Sequence, residues 1–142
     1  MLYPDLNGIF FDEGWHDCGP GNVFSKLYQT ITQSTKDLYP GAITVLNPGA
    51  TIPHCFEQSA ETLVTFEGSY ETYTTAYVPN NWNPTNTRKL WHIIYNVPHS
   101  QGAAVVTLAL QRGAALVEIT NGVTHNPYYT LADDAHMQQV RS

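Results

Sequence analysis

Three carboxylates stand where apolar segments run out. Asp12 and Glu13 follow Gly8-Ile-Phe-Phe, and Glu67 closes Leu63-Val-Thr-Phe. A carboxyl group emerging from such a segment enters a partly desolvated place, which holds its proton to higher pH, as a general acid requires. Two of them on separate strands, facing across one gap, form the apparatus that breaks glycosidic bonds. One protonates the leaving oxygen and the other acts as nucleophile or base. A lone strand-end carboxylate often does no more than cap a helix or pair on the surface, so the argument rests on the pair. Asn47 and Asn96 end two further apolar segments and bring neutral hydrogen-bonding groups to the same edge. Aromatic residues gather in the segments that follow: Trp15, Tyr70, Tyr73, Tyr77 and Trp82, then Tyr128 and Tyr129. Flat rings suit the C–H faces of sugars, and phenol hydroxyls suit their oxygens. Asn47, Tyr70, Tyr73, Trp82, Asn96 and Trp15 are the candidate substrate contacts.

Five segments must position these groups: 8–12, 42–47, 62–67, 91–96 and 116–120, each rich in β-branched or aromatic residues. Several are apolar almost throughout, the mark of strands covered on both faces. They begin about 20 to 34 residues apart, too far for hairpins and right for crossover connections. A helix is predicted from Val23 to Tyr39, capped by Asn22, stopped by Pro40-Gly41, and buried through Val23, Phe24, Leu27, Tyr28, Ile31 and Leu38. A second runs from Gln101 to Arg112 behind Ser100, with Ala104, Val105, Leu108 and Ala109 as its buried stripe. Shorter helices are expected around 56–60 and 132–140, and a long loop over 77–87. Alternating strands and helices imply a parallel sheet with right-handed crossovers, either open and doubly wound or part of a (β/α) barrel. An eight-unit barrel averages about 250 residues, roughly 31 per unit, so this length holds between four and five units. In barrel register, Leu63, Thr65 and Glu67 line the interior with Gly8, Phe10 and Asp12, while Val64, Phe66, Ile9 and Phe11 face helices.

Composition excludes several alternatives. The 142 residues are 42% hydrophobic and 13% charged, a globular balance, with a net charge of −6 and only 6 Lys and Arg. That surplus of negative charge argues against nucleic acid and against an anionic membrane as partners. No apolar run is long enough to span a bilayer. The N-terminus has neither the basic nor the apolar region of a secretion signal. Cys18 and Cys55 lie in Pro/Gly-rich stretches that could meet as a disulfide, but two separate thiols are the favoured reading. His16 and His54 beside them lack the spacing of a metal site, so no metal and no cofactor are expected. Gly19-Pro-Gly21 is a weak nucleotide signal, because Phe24 stands where a dinucleotide fingerprint needs its third glycine. No Gly-x-Ser-x-Gly elbow occurs, and His92, early in its strand, reads as structural.

Three motifs occur in order: Gly8-Ile-Phe-Phe-Asp-Glu, then Val45-Leu-Asn-Pro-Gly with Pro53 and Cys55-Phe56, then Val64-Thr-Phe-Glu-Gly-Ser-Tyr. Together they resemble the spherulin-4-like family, glycoside hydrolase family 135, from about Gly8 to Tyr129. The resemblance implies a (β/α)8 barrel of the TIM type, of which this chain carries about the last five units. It would then form a single partial domain over 1–142, truncated on its N-terminal side. It also implies endo-cleavage of an N-acetylgalactosamine- or galactosamine-containing exopolysaccharide, with Asp12, Glu13 and Glu67 as the active-site carboxylates. Glu67 would be the acid/base, Asp12 the nucleophile or charge stabiliser, and Glu13 a support. Participation by a substrate N-acetyl group would instead make Asp12 an orienting residue. The full-length form is expected to be a secreted or wall-associated monomer. A catalytically inactive saccharide-binding or structural protein using the same cleft is the alternative.

Overall fold

The β-branched and aromatic runs become five strands: β1 (Gly8–Phe11), β2 (Ile43–Leu46), β3 (Thr62–Ser69), β4 (Leu90–Tyr95) and β5 (Leu116–Ile119). The computed structural model describes residues 7–123, 125–132, 134 and 137–138. The N-terminal residues 1–6 and most of the helix expected over 132–140 lie outside the described residues. All neighbouring strands pair in parallel, in the order β1-β2-β3-β4-β5. A doubly wound sheet reverses its order at a switch point, where nucleotides bind. No reversal occurs among the described strands, and the nucleotide reading loses its architecture.

Three helices lie between the strands: α1 (Val23–Leu38), α2 (Tyr70–Thr75) and α3 (Gly102–Gln111). Helix α1 forms where its periodicity predicts, but rotated. Its buried positions are Ser25, Thr32 and Thr35, while Val23, Leu27 and Leu38 are exposed. Small hydroxylated side chains win that face because they hydrogen-bond across it. Thr32 Oγ1 donates to the Ser59 carbonyl at 2.7 Å, and Ser59 Oγ donates to that of Ser25 at 3.2 Å. Asn22 occupies the N-cap position but is left-handed, at φ 63°, and makes no side-chain cap bond. Helix α3 buries Val105 and Ala109 as expected, while Gln101 rather than Ser100 stands at its N-cap. The expected helix at 56–60 is reduced to a 3-10 turn, His54–Phe56. Helix α2 was not foreseen, and Ser69 caps it by accepting from the Thr72 amide.

Strand parity decides which side chains face the helices. Leu63 packs with Leu46, Ile52, Phe56, Phe11 and Tyr28, and Phe66 packs with Tyr73, Ile94, Val105 and Ala109. Residues three apart on a regular strand face opposite ways. They share the helix side here because β3 carries a bulge between Val64 and Phe66, opposite Trp91 and His92 of β4. The expected register of β3 is therefore corrected: Leu63 faces helices, and the extra residue at Thr65 restores Glu67 to the other face. Gly8 is required by β2 rather than by an interior, since a Cβ there would strike the Ile43 carbonyl.

Candidate active site

Strands β1 and β2 end side by side, which brings the residues that follow them together. The Asn47 amide donates to the Phe11 carbonyl at 2.8 Å, and the Gly14 amide donates to the Asn47 carbonyl at 2.8 Å. The Asn47 side chain, 5% exposed, is fixed between two acids. Its Nδ2 donates to Asp12 Oδ1 at 2.9 Å and to Glu67 Oε2 at 2.7 Å. One nitrogen thus spends both protons on the two carboxylates, which caps the separation of those oxygens at about 6 Å. The reverse orientation of the amide would set its oxygen against two carboxylates, so the assignment is fixed by charge.

Each carboxylate has further support. Asp12 Oδ1 also accepts from the Glu13 amide at 2.9 Å. Glu13 reaches that geometry in the left-handed region, at φ 53°, which costs a bulky residue about 1 kcal/mol or more. Glu67 Oε1 accepts from the Tyr128 hydroxyl at 2.7 Å. A tight approach of Gly122 to Pro127 brings Tyr128 back over the sheet edge, where its amide bonds Asn126 Oδ1 at 3.1 Å. Burial, then Glu67, pushes the Tyr128 hydroxyl above the ordinary phenol range, so it remains a donor. The result is a cleft of about 200 Å³ floored by Phe10, Trp91 and Ile93 and walled by Asp12, Asn47, Glu67, Glu118 and Tyr128. Phe10 and Trp91 meet edge to face at 6.0 Å. Among the described residues, neither Lys nor Arg lines it.

The structure brings Asp12, Asn47 and Glu67 together and leaves the other candidates elsewhere. The Glu13 side chain is exposed outside the cleft lining. Tyr73 is corrected to the core: it is 0% exposed, on the helix side, where its hydroxyl meets His92 Nδ1 at 2.8 Å. Trp82 is likewise corrected to a loop strut, since its Nε1 donates to the Ile52 carbonyl at 2.7 Å and its ring packs against the core. Tyr70 packs at the margin of the helix-side cluster. Asn96 is exposed at φ 54°, its amide bonded to the Gly122 carbonyl at 2.8 Å. Trp15, 48% exposed, stands edge-on to Phe24 in a shallow depression with His16 and Asp17, outside the cleft. Strand-end reasoning missed Glu118, which sits inside β5; its signal was a lone carboxylate within an apolar segment. Tyr128 stood among the aromatic residues after the last strand but had nothing in sequence to single it out.

The two cysteines correct the reading of separate thiols. Cys18 and Cys55 form a disulfide across 37 residues, with Cα atoms 6.2 Å apart. Each follows one of two paired parallel strands, so their loops emerge side by side. With the sulfurs bonded to each other, neither is a thiolate ligand. No described helix is long and apolar enough to cross a membrane.

Comparison with known proteins bears on the same architecture. Sph3 from Aspergillus clavatus, crystallised in complex with GalNAc, superposes with a TM-score of 0.74 and 23% identity. The alignment covers 95% of this chain and 55% of that one, so the chain spans about half the length of Sph3. At that identity the likeness shows the fold, a parallel α/β sheet with the same course. No curated protein matches the chain. The family model of spherulation-specific family 4 (Spherulin4) matches residues 4–141, nearly the whole sequence, and the chain belongs to that family.

Proposed function

We propose that this chain carries the catalytic cleft of a glycoside hydrolase acting on N-acetylgalactosamine- or galactosamine-containing polysaccharide, its sheet an arc of a (β/α)8 barrel. The observation that carries the reading is the Asn47 amide held between Asp12 and Glu67. Oxygens less than about 6 Å apart fit the short spacing of retaining enzymes, whereas inverting pairs stand ~6.5–9.5 Å apart to admit a water. Glu67 gives a proton to the glycosidic oxygen as the bond to the anomeric carbon breaks, and Asp12 forms a bond to that carbon. Water, losing a proton to Glu67, then displaces Asp12. The Tyr128 hydroxyl, donating to Glu67 Oε1, marks where a sugar oxygen would sit. Glu13 supports Asp12 through its backbone, and Trp15 offers an outlying platform on the same edge for a longer glycan. The GalNAc bound by Sph3 supports the choice of sugar, and the disulfide suits an oxidising, secreted setting.

The test is incubation with galactosamine-containing polysaccharide, followed by mass spectrometry of released oligosaccharides. Glu67→Gln and Asp12→Asn should each cut release by about 10²–10⁴-fold, the usual worth of an acid/base group, with folding unchanged. Full turnover in both variants contradicts the reading. Saccharide binding with no release of reducing ends would point instead to a catalytically inactive binding protein.

A further inference from the structure

Glu118 is the lone charged residue of β5. Strand pairing sets it level with Glu67, because Glu67 opposes Ile93 on β4 and Ile93 opposes Glu118 on β5. Residues in one such layer point to the same face. Both glutamates line the one cleft of about 200 Å³, with their backbones two strand spacings, about 10 Å, apart. Among the described residues, the polar groups that line the cleft with Glu118 are Asp12 after β1, Asn47 after β2, Glu67 on β3 and Tyr128 after β5. None of them is a cation. Two carboxylates lining one cleft repel each other when both are charged.

We propose that Glu118 is a positioning residue for the proton of the cleft: it stands level with Glu67 across β4, and the charges of the two carboxylates are coupled through the cleft they share. Glu118 remains exposed to solvent; loss of part of its hydration first and the charge of Glu67 second push it above the ordinary carboxylate range. The catalytic consequence rests on the hydrolase reading, whereas the coupling does not. When Glu67 passes its proton to the glycosidic oxygen, the pair is left doubly negative, and that charge favours recovery of a proton from the incoming water.

The coupling is read without substrate, by titrating the 142-residue chain labelled with carbon-13 at its glutamate carboxyls. Replacing Glu67 by Gln should lower the midpoint of Glu118 by about half a pH unit or more; a smaller change overturns the proposal. Should Glu67→Gln fail to fold, the wild-type titration decides, and a Glu118 midpoint within the ordinary carboxylate range overturns it. On polysaccharide, Glu118→Gln should move the alkaline limb of the kcat/KM profile to lower pH by a similar amount, and Glu118→Asp should restore it. Hydrolysis with an unmoved limb overturns the proposal alone. Absence of hydrolysis in a chain whose Glu118 is coupled overturns the hydrolase reading and leaves the coupling standing.

Discussion

Phe66 and Glu67 are neighbours on β3 that look in opposite directions, and a polar cluster lies on each side. On the helix side, Tyr73 and His92 share a hydrogen bond of 2.8 Å beneath the Arg112 guanidinium, which stacks over Tyr73 at 4.3 Å and Tyr77 at 4.1 Å. Arg112 also donates to the Tyr73 carbonyl at 2.6 Å. Burial holds the Tyr73 phenol up at about 12 and the His92 imidazole down at about 4, so both stay neutral around one cation. On the other side, the cleft carries Asp12, Glu67 and Glu118 with no cation among the described residues, held by the neutral donors Asn47 and Tyr128. The sealed cluster packs its members against one another and contributes to stability, although His92 Nε2 is buried without a hydrogen-bond partner. The open cluster keeps surplus acceptors and negative charge at a surface a sugar can reach. In the cleft the charge is open to a ligand, whereas on the helix side it is stacked against neutral rings.

Substitutions separate the two sides most sharply. Glu67→Gln should remove about 10²–10⁴-fold of hydrolytic rate while leaving the melting temperature nearly unchanged, as a rate assay and a thermal scan on one preparation would show. Next in size is the disulfide between the segments that follow β1 and β2, which closes a loop of 37 residues. Its reduction should cost about 4 kcal/mol of unfolding free energy in denaturant titrations, by the loop-closure account.

The sealed side should reveal itself through pH. Between about 6.5 and about 4 the unfolded chain takes up a proton at His92 that the folded chain refuses, so stability falls as pH drops through that window, by up to about 3 kcal/mol. Glu57, lowered by hydrogen bonds from the Thr85 amide and His54, adds a loss as pH falls below about 4.5. Glu61 adds a further loss there, because its bonds to Lys36 and the Thr44 amide outweigh the cost of burial. His92→Leu should flatten the upper part of that slope in chemical denaturation across pH. Smallest is Tyr73→Phe, which leaves His92 Nδ1 without its partner and should cost about 1–3 kcal/mol, with saccharide turnover intact. A fall in turnover instead would return Tyr73 to the cleft and erase the contrast.

Much of this arrangement was legible in the residues. Apolar runs at crossover spacing gave five parallel strands, and the polar residues closing them gave Asp12, Asn47 and Glu67. What escaped followed from tertiary detail. The β3 bulge inserts one residue without a sequence mark, so alternation put Leu63 on the wrong face. Tyr73 read as a loop aromatic until α2 turned it under the sheet. The buried face of α1 was decided by hydroxyl hydrogen bonds to Ser59 and from it, not by hydrophobicity. Cys18 and Cys55 could be joined only once β1 and β2 were known to be neighbours. Glu118 required cross-strand register, which no single segment contains.

The central claim is geometric: one sugar fits against Asp12 and Glu67 together. A crystal structure of the Glu67→Gln variant with a bound GalNAc oligosaccharide tests it most directly. The account predicts a glycosidic oxygen within hydrogen-bond reach of residue 67, with the anomeric carbon facing Asp12 and the Tyr128 hydroxyl displaced from its present partner. A sugar seated away from the Asn47 bridge, or Asp12 turned from the bound ring, would contradict it.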